Sequence, residues 1–165
     1  MQLCYRLFMN ILQMQTCCFT GHRELSFFAR MRLRRRLPRV IAELMEQGVR
    51  YFGCGGAQGF DTLAAQAVLA ARRRHPQIRL ILVLACPEQA DRWPAPARKR
   101  FQAILAQADK VVYVQPTYTA SCFFKRNRHL ADHSQVCVCY CRRDTGGTAM
   151  TVRYAKEKGL RIIAL

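Results

Sequence analysis

Two glycine-rich turns, each set between a strand-like run and a helix-like run, constrain this chain more than any other feature. The first reads Tyr51-Phe52-Gly53-Cys54-Gly55-Gly56-Ala57-Gln58-Gly59-Phe60-Asp61, and a helical pattern follows from Thr62 to Arg74. The second is Thr145-Gly146-Gly147-Thr148, after the apolar run Val136 to Tyr140 and before a helical pattern over Ala149 to Lys158. Glycine lets a backbone adopt positive φ and approach a ligand closely. A helix that begins right after such a turn points unpaired N–H groups and a partial positive charge at whatever lies there. Two such turns in 165 residues predict a site for a phosphate-bearing ligand.

The rest of the chain repeats this alternation. Thr16 to Thr20, Tyr51 to Cys54, Leu80 to Ala85, Lys110 to Val114, Val136 to Tyr140 and Arg161 to Leu165 read as strands. Between them, Leu33, Leu37, Val40, Ile41, Leu44 and Met45 form a helical stripe that contains Pro38, so that helix is expected to start near the proline or to kink there. Ala97 to Ala108 and Ala120 to Asp132 read as further helices, and Trp93-Pro94-Ala95-Pro96 as a loop. Strands alternating with helices predict an α/β, Rossmann-like fold with a mostly parallel sheet and helices on both faces. In such sheets ligands bind beyond the carboxyl ends of the strands, where both glycine turns fall.

The length suits one domain, placed here over residues 16–165. Met1 to Gln15 reads as an extension without the marks of a signal peptide, and Met14 is an alternative start. No apolar run is long enough for a membrane span. Nine cysteines without Cys-x-x-Cys spacing predict a reducing, cytoplasmic setting and no metal site. Cys137, Cys139 and Cys141 alternate and so share one strand face. A net charge of +17 favours polyanions, nucleic acid among them, unless the arginines form only a solvated surface.

Several residues beside these turns carry candidate chemistry. Thr20-Gly21-His22-Arg23 offers a hydroxyl, a flexible backbone and a cation to an anion. His22 is either a general acid–base or a structural residue. Asp61 either favours its helix start or accepts from ribose hydroxyls. Arg126, next to Asn127, either makes a bidentate pair with phosphate or closes a salt bridge. Thr148 and Thr151 either cap the last helix or bind phosphate.

Taken in order, the segment Thr16 to Arg23, the segment Phe52 to Asp61, Cys86-Pro87-Glu88-Gln89 with Trp93, Ala108-Asp109, Arg126-Asn127, and Gly146-Gly147-Thr148 with Thr151 resemble the YpsA-like branch of the SLOG superfamily. That superfamily includes the DNA-processing protein DprA and the LOG nucleotide hydrolases. The resemblance implies a Rossmann-like fold and a pocket for a nucleotide-derived ligand related to ADP-ribose or NAD, with no required cofactor. It places the pocket at Thr20, Gly21, His22 and Arg23; at Gly55, Gly56, Ala57, Gly59 and Asp61; at Arg126 and Asn127; and at Gly146, Gly147 and Thr148. LOG hydrolases carry a glutamate where Thr151 stands here, which argues against their reaction. The expected function is therefore binding or sensing of a nucleotide-like small molecule. DprA-like nucleic-acid binding and hydrolysis of a nucleotide derivative are the alternatives, and homo-oligomerisation stays open.

Overall fold

Parallel strands need crossovers, and the direction of each crossover decides which face of the sheet a helix covers. The computed structural model describes residues 10–165. Its elements run β1 (Thr16–Gly21), α1 (Phe27–Glu46), β2 (Tyr51–Cys54), α2 (Phe60–Arg72), β3 (Arg79–Leu84), a 3-10 turn (Pro87–Ala90), α3 (Ala95–Leu105), β4 (Lys110–Tyr113), α4 (Cys122–Asp132), β5 (Val136–Tyr140), α5 (Gly147–Glu157) and β6 (Arg161–Ala164). The six strands pair in the order β4-β3-β2-β1-β5-β6, all parallel. The chain thus steps outward from β1 to β4, returns through α4, and continues on the far side of β1. The expected Rossmann-like α/β fold is the one observed.

Two cores flank the sheet because strand side chains alternate. Cys17 and Phe19 of β1 and Val136, Val138 and Tyr140 of β5 pack with Leu33, Leu37, Ile41 and Leu44 of α1 and Phe60, Ala64 and Val68 of α2. Cys18, Cys137 and Cys139 face the other way, with Leu130 and Ala131 of α4 and Ala155 of α5. Cys137 and Cys139 thus share a face as expected, and their burial suits small apolar packing. Among the described residues no group of three metal-ligating side chains converges, and no helix is long and apolar enough to cross a membrane.

One helix differs from expectation. α1 starts at Phe27, well before Pro38, and runs through the proline. Ser26 fixes its start by accepting from Ala29 N at 3.2 Å. Pro38 lies on the exposed side, where a carbonyl deprived of its helical donor can be hydrated, so packing of the apolar stripe outweighs the lost bond. Residues 1–9 of the expected N-terminal extension lie outside the described residues. Residues 10–14 are helical, Thr16 Oγ1 donates to Leu12 O at 2.6 Å, and Gln15 O accepts from Arg50 N and Tyr51 N at 2.9 and 3.0 Å.

Candidate functional site

The strand order reverses between β1 and β5, so the loops leaving those two strands splay apart and open a crevice at their carboxyl ends. A pocket of about 320 Å³ lies there. Its lining brings together Thr20, Gly21, His22, Arg23, Ala57, Asp61, Arg126, Asn127, Gly146, Gly147 and Thr148. Gly55, Gly56 and Gly59 are not among the lining residues. Phe123 and Arg143, which no sequence pattern marked, also line it, as does Thr145 at the head of the second glycine turn. A larger cavity of about 420 Å³ sits at the opposite, amino ends of the strands, under α4. Its lining is mainly apolar, with Lys110, His129, Asp132 and His133 among the polar residues, and lacks the convergence of arginines, glycine turns and a helix start seen at the switch point.

The two glycine turns do different work. Gly146 adopts φ +91° and ψ 177°, a region essentially restricted to glycine, and so delivers the chain into α5. A Cβ on Gly146 or Gly147 would meet nothing within 4 Å. No side chain caps α5, so its first-turn N–H groups face the pocket mouth with their partial positive charge. The first turn is filled by the protein itself. A Cβ on Gly55 would strike the Arg126 guanidinium and lie 2.9 Å from Asp61 Oδ2. Gly56, at φ +65°, would place one 2.8 Å from Leu84 and 3.1 Å from Phe101. Gly59 would place one 2.6 Å from His22 O, in the path of the β1–α1 loop. Gly21 lacks room for a Cβ because Phe60 packs on it.

Arg126 and Asp61 form the buried floor. Arg126 Nη1 stands 3.8 Å from Asp61 Oδ2 and donates to Gly55 O. Asp61 Oδ2 also accepts from Ala57 N at 3.1 Å, which ties the carboxylate to its own turn. Both residues are about 5% exposed or less. Burial raises the Asp61 carboxyl above its ordinary range, with Arg126 and the Ala57 N–H opposing that shift. Burial likewise lowers Arg126, with Asp61 opposing. The guanidinium stays charged regardless, so its buried charge relies on the Asp61 carboxylate and Gly55 O for compensation. Arg126 Nε is buried and has no partner among the described residues. A buried donor of this kind is costly unless something accepts from it.

The remaining side chains frame that floor. Arg23 and Arg126 both lie over the Phe123 ring, at 5.0 and 5.6 Å from its centroid. His22 Nε2 accepts from Arg142 N at 2.7 Å. That bond joins the β1 and β5 loops and requires an unprotonated Nε2. Burial, then Arg143, lowers the His22 pKa, in keeping with that role. Thr151 is buried and turns its hydroxyl back to Gly147 O at 2.7 Å. Gln89 holds the first turn from behind: its Oε1 accepts from Ala85 N at 2.9 Å, and its Nε2 donates to Gly55 O at 3.0 Å. Asp109 is remote from the site, accepting from Leu80 N at 2.8 Å and pairing with Arg72.

The net character is cationic. Arg23, Arg126 and Arg143 face one carboxylate, beside an uncapped helix start, so the pocket suits an anion with tetrahedral oxygens.

Comparison with known proteins gives the same frame. The YpsA family model, described as the YspA SLOG family, matches residues 17–161. The chain is 26% identical over 141 residues to the UPF0398 protein BH1768 of Halalkalibacterium halodurans, covering 84% of this chain and 72% of that protein. It is 23% identical over 103 residues to the UPF0398 protein YpsA of Bacillus subtilis, covering 58% and 57%. Among solved structures, DNA processing protein A from Helicobacter pylori superposes with a TM-score of 0.66 at 18% identity, covering 95% of this chain and 67% of that one. DprA from Streptococcus pneumoniae gives 0.63 at 19% identity, covering 94% and 51%. At these identities the two structures share a fold with this chain.

Proposed function

We propose that this chain, which belongs to the YspA SLOG family, binds a nucleotide-derived ligand by its phosphate group in the pocket between the β1 and β5 loops. The observation that carries this reading is the convergence of Arg23, Arg126 and Arg143 with the α5 start on one pocket whose lining holds a single carboxylate. A phosphate group would accept from these cations, and the α5 start would supply further donors. Arg126 is held for this task by Asp61 and Gly55 O. Phe123 also lines the pocket, and an aromatic ring there agrees with an ADP-ribose-like or NAD-like molecule. With Thr151 in place of a carboxylate, the reading is recognition of the ligand and not its hydrolysis.

A thermal-shift panel of AMP, ADP-ribose, NAD and single-stranded DNA at two salt concentrations tests it. A pocket ligand stabilises by mass action. Arg126→Ala should then weaken binding by about 1.5–3 kcal/mol, the range for a charged hydrogen bond. Unchanged affinity in folded Arg126→Ala rejects the pocket.

A second reading has its own support. The H. pylori structure concerns a single-stranded DNA binding mode of its protein, and this chain carries a net charge of +17. Nucleic-acid binding would show a steep loss of affinity with salt, which a single phosphate contact would not.

A further inference from the structure

A smaller niche adjoins the pocket. It measures about 130 Å³, and four arginines line it: Arg23, Arg30, Arg34 and Arg100. The sequence scatters them. Arg23 belongs to the β1–α1 loop, Arg30 and Arg34 lie one helical turn apart on α1, and Arg100 lies on α3. The first turns of α2 form the floor, with Thr62 and Gln66. No carboxylate lines the niche. Among the described residues, none of the four arginines enters an ion pair, whereas Arg72, Arg79 and Arg126 do. Like charges one turn apart on a helix repel, and two more cations converge on them here. An arrangement of this kind is relieved by an anion.

Arg23 lines both the niche and the larger pocket, so the two are neighbours that share one cation. Gly59 lets the chain at His22 and Arg23 pack tightly beside the niche, since a Cβ there would collide with it. A water claims roughly 30 Å³ in the liquid, so the niche has the scale of one phosphate group and not of a nucleoside.

We propose that this arginine niche is a second phosphate subsite, and that the ligand is a nucleotide derivative carrying phosphate groups at two separate positions, one on either side of Arg23. This rests on the reading of the larger pocket given above. Arg30, Arg34 and Arg100 bind the outer phosphate with Thr62 and Gln66 beneath it, while the inner phosphate meets Arg126 and the α5 start.

The test compares adenosine 3′,5′-bisphosphate with adenosine 5′-monophosphate by calorimetry at fixed ionic strength. The proteins are the full chain and its Arg34→Gln/Arg100→Gln variant. The wild type should prefer the bisphosphate by about tenfold or more, as charged hydrogen bonds to a second phosphate require. The variant should lose that preference while holding the monophosphate within about twofold, since neither residue lines the larger pocket. A preference that survives in the variant overturns the proposal. So does an equal loss for both ligands, which marks a diffuse charge effect. A single-stranded oligonucleotide that depends on Arg34 and Arg100 when the bisphosphate does not also overturns it in favour of a strand track. If the wild type binds neither nucleotide, the larger pocket's reading fails, and inorganic phosphate then judges the niche alone. Side-chain Nε–H resonances of Arg30, Arg34 and Arg100 should shift saturably with phosphate in wild type and in Arg126→Ala; resonances that stay still overturn the subsite.

Discussion

The Arg126 guanidinium occupies the space in which a side chain on Gly55 would have to sit, 71 positions away in sequence. Gly55 therefore serves the site indirectly. Its missing Cβ gives room to the cation, and its carbonyl accepts from it. The first glycine turn is a socket for Arg126, and the second is the face open to a ligand.

Gly55→Ala should unseat Arg126 and weaken binding of the best nucleotide ligand about as much as Arg126→Ala does. Gly56→Ala should act otherwise. Its Cβ would press on Leu84 and Phe101 at positive φ, lowering stability by about 1 kcal/mol or more. Affinity in the folded fraction should remain. Calorimetry alongside thermal melts separates the two, and equal affinity losses would refute this division.

Asp61→Asn should raise anion affinity and lower stability together. The substitution leaves Arg126 buried without its counter-charge, a loss of about 3 kcal/mol, or roughly 6–12 °C in melting temperature for a domain of this size. Removing a negative charge beside the phosphate position should tighten binding by about tenfold or more. A variant that binds more weakly than wild type would refute this and mean that Asp61 acts by holding Arg126 in place or by contacting the ligand itself.

Gln89→Leu should destabilise the fold without adding charge to the site. It would strip Ala85 N of its side-chain acceptor and Gly55 O of one of its two donors. A buried group left unsatisfied costs about 1–3 kcal/mol. Urea unfolding measures the loss, and a midpoint equal to wild type would show that the turn holds itself.

Stability should fall on mild acidification. His22 accepts at Nε2, and its folded pKa is lowered by burial, then by Arg143. His129 is lowered as well, by burial and by its stacked neighbour His133. A depressed histidine favours the fold fully above its unfolded pKa of about 6.5, and that contribution is lost as pH falls through the lower folded value. Melting temperatures between about pH 7.5 and about pH 5 should therefore decline, and less steeply in His22→Ala. An identical slope in the variant would remove His22 from this role.

Local patterning determined a great deal by itself. Period-two and helical spacing placed all six strands and the helices between them, because those periods depend only on near neighbours in the chain. The parallel sheet and the position of both glycine turns at its carboxyl edge follow from that alternation. Sequence could also name Arg126, Asp61 and Gly147 as chemistry-bearing residues. It could not say which glycine faces a ligand and which faces a guanidinium. That depends on the order β4-β3-β2-β1-β5-β6, which sets α4 over the β2 turn and brings Arg126 to Gly55. Arg143 and Phe123 escaped notice for the same reason: each gains its meaning from a partner on another element. The arginine niche likewise exists only once α1 and α3 flank α2, since charges far apart in sequence share a field only when packing brings them within a few ångströms of one another.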